Sequence, residues 1–385
     1  MSDNIMTRER ADVGSYEDIV AAAVRTTGMS DFGDGVHEQG LRVLVDDLGS
    51  PEAGLTPRGN YFQRSEVKSA LVGVLLTQAQ FTAHPEHRDV PIERPIFLMG
   101  LPRTGTTALH RYLHADPMAQ GLEMWLTQYP QPRPPRETWE SDPIFQAMQS
   151  GFAAHHVENP EFMGIHYMDA TTVEECWRLL RQTGKSNSYE ALANLPRYTE
   201  WLKRQDWTDA YARHKQNLQL VGMNDPEKRW VLKNPSHMTA LDALMTVYPD
   251  ALIVYTHRDP VTCIASSCSL SAETTVGHSD TYVGGVIGHT QLDLWSRAFH
   301  AFHDARPAYD QDQFIDVAFK DLVSDPLAVT RRIYDQFGLD WTPDVQAVVE
   351  AIDQESKQGK AKPSHTYTLK DYGLSEDRVR AAFDR

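Results

Sequence analysis

One run, IFLMGLPRTGTTALHRYL from Ile96 to Leu113, constrains this chain more than any other. Ile96 to Met99 reads as a strand, Gly100 and Gly105 frame a turn, and Leu109, Tyr112 and Leu113 recur at helical spacing from Thr106 onward. A strand feeding a glycine turn and then a helix is an anion cradle, because the first N–H groups of a helix have no intrahelical partner. The ATP-type cradle is G-x-x-x-x-G-K-[ST], in which the lysine reaches the outer phosphates. Here Gly105 is followed by Thr106 and Thr107, and the positive charge stands inside the loop at Arg103. The cradle is kept and the lysine is not, which points to a phosphate chemistry other than Mg-ATP hydrolysis. For the loop taken alone, a ligand-free strand-to-helix turn is the alternative.

The sequence around this run has the form of a parallel α/β sheet. From Arg94 onward, short apolar runs are each followed by a turn and a helical pattern: PIFLMG, RWVLKNP, DALIVYTHRDP and a fourth at QFIDVAF. Before it, residues 1–93 read as an N-terminal helical cap, with SYEDIVAAAVRTTG, GVHEQGLRVLVDDLG and SEVKSALVGVLLTQAQFTAHP carrying apolar residues every three or four positions. HPEHRDVPIERP is the linker into an α/β domain spanning 94–385. A long helical insertion from about 138 to 220, interrupted at ENPEFMGIHYMDATT, is expected to shape an acceptor pocket. The fold class is therefore a P-loop-like parallel sheet flanked by helices.

A second element converges on the first. The strand in ALIVYTHRDPVTCIASSCS ends at Arg258, Asp259 is placed as an N-cap, and Pro260 stands at the first helical position, where its missing N–H costs nothing. Ser266 follows Asp259 by seven residues, about two turns, so it lies on the same side as the helix start. Arginine offers a planar fork matched to phosphate, and the serine adds a neutral donor. The alternative is an Arg258 paired with a carboxylate and a Ser266 packed within its helix.

Composition narrows the partners. With 385 residues and 41% hydrophobic content the chain fills a sizeable core, and its net charge of −16 opposes a nucleic-acid partner. No run of about 18 apolar residues occurs, so neither a signal peptide nor a transmembrane segment is expected. Cys176, Cys263 and Cys268 have neither disulfide-framework nor zinc-knuckle spacing, and a reducing cytoplasm is the expected location. His300 and His303 share a helix face without a third ligand, so no metal is expected. Glu174 and Glu175 read as carboxylates opening a helix and favouring its dipole.

The combination of R-T-G-T-T after a strand, VLKNPSH, THRDP and a serine eight residues after the arginine resembles the sulfotransferases that use 3′-phosphoadenosine 5′-phosphosulfate (PAPS), in particular a bacterial branch similar to tyrosylprotein sulfotransferases. The likeness runs from about Arg94 to Gly373 and includes FKDLVSDPLAVTRRIYDQFGL and HTYTLKDYGLS. It implies that Arg103, Thr104, Gly105, Thr106 and Thr107 hold the 5′-phosphosulfate and that Arg258 and Ser266 hold the 3′-phosphate. It implies PAPS as donor, adenosine 3′,5′-bisphosphate as product, and a hydroxyl of a small molecule, lipid or glycan as acceptor. Cytosolic phenol and steroid sulfotransferases have lysine where Arg103 stands and tryptophan where Ala108 stands, and their catalytic histidine lies two residues after a lysine, whereas Lys233 and His237 are four apart. A nucleotide kinase and a non-catalytic adenosine bisphosphate-binding protein are the other readings; the missing lysine opposes the first.

Sulfuryl transfer needs in-line positioning, cations for the departing phosphate and a base for the acceptor proton. Arg103 and Lys233 are the candidate cations. Glu123 and His237 compete as the base: the resemblance to the tyrosylprotein enzymes favours a glutamate placed like Glu123, and that to the cytosolic enzymes a histidine. Failing both, His166 and Asp169 of the insertion come next. Lys360, Lys362 and His365 form a small basic cluster that either closes over the cofactor or lies as a solvated loop.

Overall fold

A computed structural model of the protein describes residues 8–158, 169–358 and 368–385. Three helices, α1 (Tyr16–Thr27), α2 (Glu38–Leu48) and α3 (Pro57–Ala83), precede the strand β1 (Ile96–Gly100). Then come α4 (Thr106–His114), the two-residue β2 (Ala119–Gln120), α5 (Met124–Gln128), α6 (Pro143–Glu158), α7 (Trp177–Arg181), α8 (Pro196–Leu202), α9 (Thr208–Val221) and β3 (Arg229–Lys233). The remainder is α10 (Leu241–Val247), β4 (Leu252–His257), α11 (Pro260–Thr274), α12 (Gly285–Ala305), β5 (Phe314–Ala318), α13 (Phe319–Ser324), α14 (Pro326–Phe337), α15 (Pro343–Gln358) and α16 (Glu376–Ala382). The four apolar runs are thus β1, β3, β4 and β5. The insertion is broken into α6 to α9 and intervening turns, and residues 159–168 of its interruption lie outside the described residues.

Local chemistry explains the helix ends. Ser15 and Asp18 form a capping box at the start of α1, and Gly28 closes it in the left-handed conformation at φ 71°. Thr56 accepts from the Gly59 N–H, with Pro57 at the first position of α3.

Among the described residues the sheet is five-stranded and wholly parallel, in the order β2-β3-β1-β4-β5. Its pleat divides the core. Phe97, Met99, Trp230, Leu232, Ile253, Tyr255 and Phe314 join one apolar cluster, which also contains Leu41 of α2, Leu71 of α3 and Leu218 of α9. Ile96, Leu98, Val231, Leu252, Val254, Ile315 and Val317 face the other way, onto Leu109 of α4, Ile333 of α14 and Val349 of α15. Side chains two residues apart share a face, so Lys233 falls on the α4 side with Val231. That parity sets which residues meet at the end of β3.

The strands' C-terminal ends converge through register. β1 pairs with β4 from Ile96↔Leu252 to Gly100↔Thr256, bringing the glycine turn beside the loop after β4. The contact is so close that a Cβ on Gly100, whose φ is 150°, would lie 2.2 Å from the Thr256 carbonyl oxygen. Gly100→Ala should therefore destabilise the protein by about 1–3 kcal/mol through overpacking. Thermal unfolding that matched wild type would show that this backbone approach is not required.

Candidate active site

The loop between β1 and α4 is tightly built on its inner side and open on its outer side. Thr104 is fully buried; its hydroxyl donates to the Leu101 carbonyl at 2.7 Å and lies 2.6 Å from the Thr256 hydroxyl, which ties the loop to β4. Gly105 is the N-cap of α4 at φ 88°, and a Cβ there would lie 2.8 Å from Leu322 Cδ2. No side chain caps this helix end, so its orphan N–H groups are left for an anion. Thr106 is buried, while Thr107 and Arg103 are exposed. Arg103 holds a φ of 70°, uncommon for a non-glycine residue, and its guanidinium has no hydrogen bond or ion pair among the described residues.

Arg258 joins this loop from the end of β4. Its Nη1 donates to the Arg103 carbonyl at 3.1 Å, and its guanidinium lies over the Phe319 ring at 4.2 Å. No carboxylate neutralises it among the described residues, in contrast to the paired-arginine alternative. Ser266 is buried two turns into α11, and its hydroxyl makes no hydrogen bond among those residues. Asp259 stands at the N-cap as expected, yet its carboxylate makes no cap bond. It accepts instead from Arg380 at 3.1 Å and from the Thr262 hydroxyl at 3.2 Å. Lys362 and His365 lie outside the described residues.

Lys233 supplies the second approach to the loop. The α4 side of the sheet is also the side of Thr107, and Lys233 Nζ reaches the Thr107 hydroxyl at 3.3 Å. The lysine side chain is only 3% exposed, and Glu175 Oε1 accepts from its ammonium at 2.7 Å. This corrects the reading of Glu174 and Glu175 as the opening of a helix: α7 begins only at Trp177, beyond Cys176 as its N-cap. The Cys176 N–H donates to the Lys233 carbonyl at 3.1 Å, laying this segment along the end of β3.

A model of the sulfotransferase family matches residues 95–343 of the chain. The chain belongs to the sulfotransferase family. It is similar to the solved structure of sulfotransferase STF1 from Mycobacterium tuberculosis H37Rv, 50% identical, with 97% of this chain and 99% of that one covered and a TM-score of 0.91. Sulfotransferase STF9 from Mycobacterium avium is 27% identical over 97% of this chain and 96% of that one, with a TM-score of 0.87. Among curated proteins, the omega-hydroxy-beta-dihydromenaquinone-9 sulfotransferase Stf3 of Mycobacterium tuberculosis (strain CDC 1551 / Oshkosh) is 24% identical over 261 residues, 64% of this chain. The match spans 63% of that relative's length.

The two base candidates are placed in different surroundings. Glu123 caps the start of α5 in position but is buried, and its Oε2 accepts from Arg133 Nε at 3.2 Å. Arg133 also donates to Gln120 Oε1 at 2.8 Å, Asp225 Oδ2 at 3.2 Å and the Gly121 carbonyl at 2.6 Å, so it is a hydrogen-bonding hub. Burial pushes the Glu123 carboxyl upward, and the guanidinium offsets only part of that. His237 is set apart from Lys233. It is fully buried on the opposite side of the sheet from Lys233, with Tyr211 Oη 2.7 Å from its Nδ1 and the Phe97 ring edge-on at 5.1 Å. Burial holds its pKa well below the ordinary range, and the nearby His214 lowers it further. Asp169 is likewise committed, its Oδ1 accepting from the Thr171 and Thr172 N–H groups at 2.7 and 2.9 Å, and His166 lies outside the described residues.

Sequence reasoning missed Glu175 and Arg133. Glu175 meets a lysine 58 residues away, and Arg133, though only ten residues from Glu123, is held as well by Asp225 92 residues away, so neither pairing follows a regular helix or strand spacing. The Glu123–Arg133 pair makes a pH-resolved prediction. A carboxyl whose folded pKa is raised stabilises the fold below its unfolded pKa, and that contribution is lost as pH rises through the folded one. In Arg133→Met the offsetting charge is gone, so Glu123 shifts further up. The pH-dependent part of the loss should be small near pH 4 and reach about 3–5 kcal/mol near pH 8. Urea unfolding of the variant across that range checks it; a loss independent of pH would mean that Glu123 is not buried as a charge.

Proposed function

We propose that this protein transfers a sulfuryl group from PAPS to a hydroxyl. The observation that carries the reading is the uncapped start of α4, where the ammonium of Lys233 reaches Thr107, the loop's cation Arg103 has no partner for its guanidinium among the described residues, and no lysine follows Gly105. In this reading the amides of α4 and Arg103 hold the 5′-phosphosulfate, and Lys233 meets the charge that develops on the departing phosphate. Arg258 and Ser266 grip the 3′-phosphate, for which a free hydroxyl and an unneutralised guanidinium are the fitting partners. The product is adenosine 3′,5′-bisphosphate. A lipid hydroxyl is the acceptor class favoured by the likeness to Stf3, whose name specifies a hydroxylated menaquinone derivative. Among the described residues no helix is long and apolar enough to cross a membrane, and the three cysteines are buried. The cytoplasm is the proposed setting.

Two outcomes test this. Calorimetry should show adenosine 3′,5′-bisphosphate binding far more tightly than 5′-AMP. A charge-assisted contact contributes roughly 1.5–3 kcal/mol, so Arg258→Ala should weaken bisphosphate binding about tenfold or more and leave 5′-AMP nearly unchanged. Equal affinity of the wild-type protein for the two nucleotides would remove the role given to Arg258 and Ser266. Sulfuryl transfer should also persist in EDTA, because Thr106 follows Gly105 where a magnesium-dependent cradle has its lysine and the loop's cation is instead Arg103; activity lost in EDTA and restored by magnesium contradicts the reading.

A further inference from the structure

The Lys233–Glu175 pair places a carboxylate at the donor loop that no other residue occupies among the described ones. Three features distinguish it from Glu123. Glu175 is bonded to Lys233 at 2.7 Å, and Lys233 in turn to Thr107 at 3.3 Å, so the carboxylate stands two hydrogen bonds from the start of α4. It sits at the C-terminal edge of a parallel sheet, where ligands of such folds gather, because Cys176 is hydrogen-bonded to the end of β3. Its side chain keeps 27% exposure while its lysine keeps 3%, so the carboxylate is the open member of the pair.

Glu123 is close in the chain's path but differently occupied. Its backbone bridges Val173 in antiparallel fashion, two residues before Glu175, so the two carboxylates arise from neighbouring strands of one local ribbon. Arg133 claims Glu123 and leaves it buried. Of these two carboxylates, Glu175 is the one that is accessible and paired with a cation directed at the loop.

The geometry points to Glu175 as the base that takes the proton of the acceptor hydroxyl. This rests on the sulfuryl-transfer reading and names its missing part. The acceptor oxygen bonds to sulfur as its proton passes to Glu175. The bond between sulfur and the bridging oxygen breaks, its electron pair staying on the phosphate. Protonation neutralises the partner of Lys233 in the same event that creates a new anion, so the ammonium turns toward the phosphate as it is needed. Glu175 thus couples proton removal to stabilisation of the leaving group.

Glu175→Gln keeps the shape and an oxygen for Lys233 while removing the charge. Calorimetry with adenosine 3′,5′-bisphosphate and release of radiolabelled sulfate from PAPS, with water as acceptor, read the two halves of the inference. Glu175→Gln should bind the bisphosphate about threefold more tightly or better, since an anion facing the phosphates is gone, and release sulfate at least a hundredfold more slowly. Glu123→Gln, whose charge Arg133 already neutralises, should stay within about twofold of wild type in both. Unchanged or weaker bisphosphate binding by Glu175→Gln overturns the placement, and so does sulfate release at the wild-type rate. The inference also falls if Glu123→Gln is the variant that loses turnover. If the wild-type protein releases no sulfate, the calorimetric comparison decides alone. A wild-type protein that fails to bind the bisphosphate at all sinks the sulfotransfer reading first, and the base with it.

Discussion

The pairing of β1 with β4 is the constraint on which the rest depends. Five consecutive partners lock the two central strands, ending with Gly100 against Thr256, and each strand then releases its loop at the same level. The hydroxyls of Thr104 and Thr256 meet at 2.6 Å just beyond that point, and Arg258 reaches the Arg103 carbonyl two residues later. Parallel strands gather their C-terminal ends on one edge, so groups from distant parts of the chain become neighbours there without any of them being near in sequence. The positive φ values at Gly100, Arg103 and Gly105 follow from turning the chain through so short a loop while keeping the helix end open.

Electrostatics gives this edge its character. A chain with a net charge of −16 presents two arginines, Arg103 and Arg258, that no carboxylate neutralises among the described residues, next to an uncapped helix start. Several cations elsewhere are paired with carboxylates, among them Arg133 with Glu123 and Asp225, Arg297 with Glu190, and Lys185 with Asp209. Unmatched positive charge at one edge of an acidic molecule focuses an anionic ligand onto that edge, and the helix dipole adds to it. The charge distribution therefore favours an anionic ligand at this edge more sharply than the glycine loop does alone.

The carboxylates illustrate how environment separates chemically identical groups. Glu123 is buried and tied to a hub arginine, a combination that stabilises structure and removes the group from exchange with a ligand. Glu175 is a quarter exposed and tied to a lysine that itself touches the loop. Lys233 reaches that loop only because the pleat of β3 turns it to the α4 side; His237, in the turn beyond the strand, is turned to the other face and sealed among Phe97, Tyr211 and His214.

Local patterns determined the strands, the anion loop, the starts of α4 and α11, and the capped N-terminal helices. Each rests on chemistry contained within a dozen or so residues: apolar runs bounded by turns, glycine at left-handed positions, proline at a first helical turn, serine or threonine as caps. Arg258 and Ser266 were legible for the same reason, since both belong to one strand–helix junction. The tertiary structure alone decided which carboxylate faces Lys233, which arginine silences Glu123 and on which side of the sheet His237 is buried. Those outcomes depend on a lysine and a carboxylate 58 residues apart, on a loop that folds Arg133 back onto Glu123 and joins both to Asp225 92 residues on, and on the face a pleated strand presents at its last residue, where a shift of one position sends a side chain to the opposite layer.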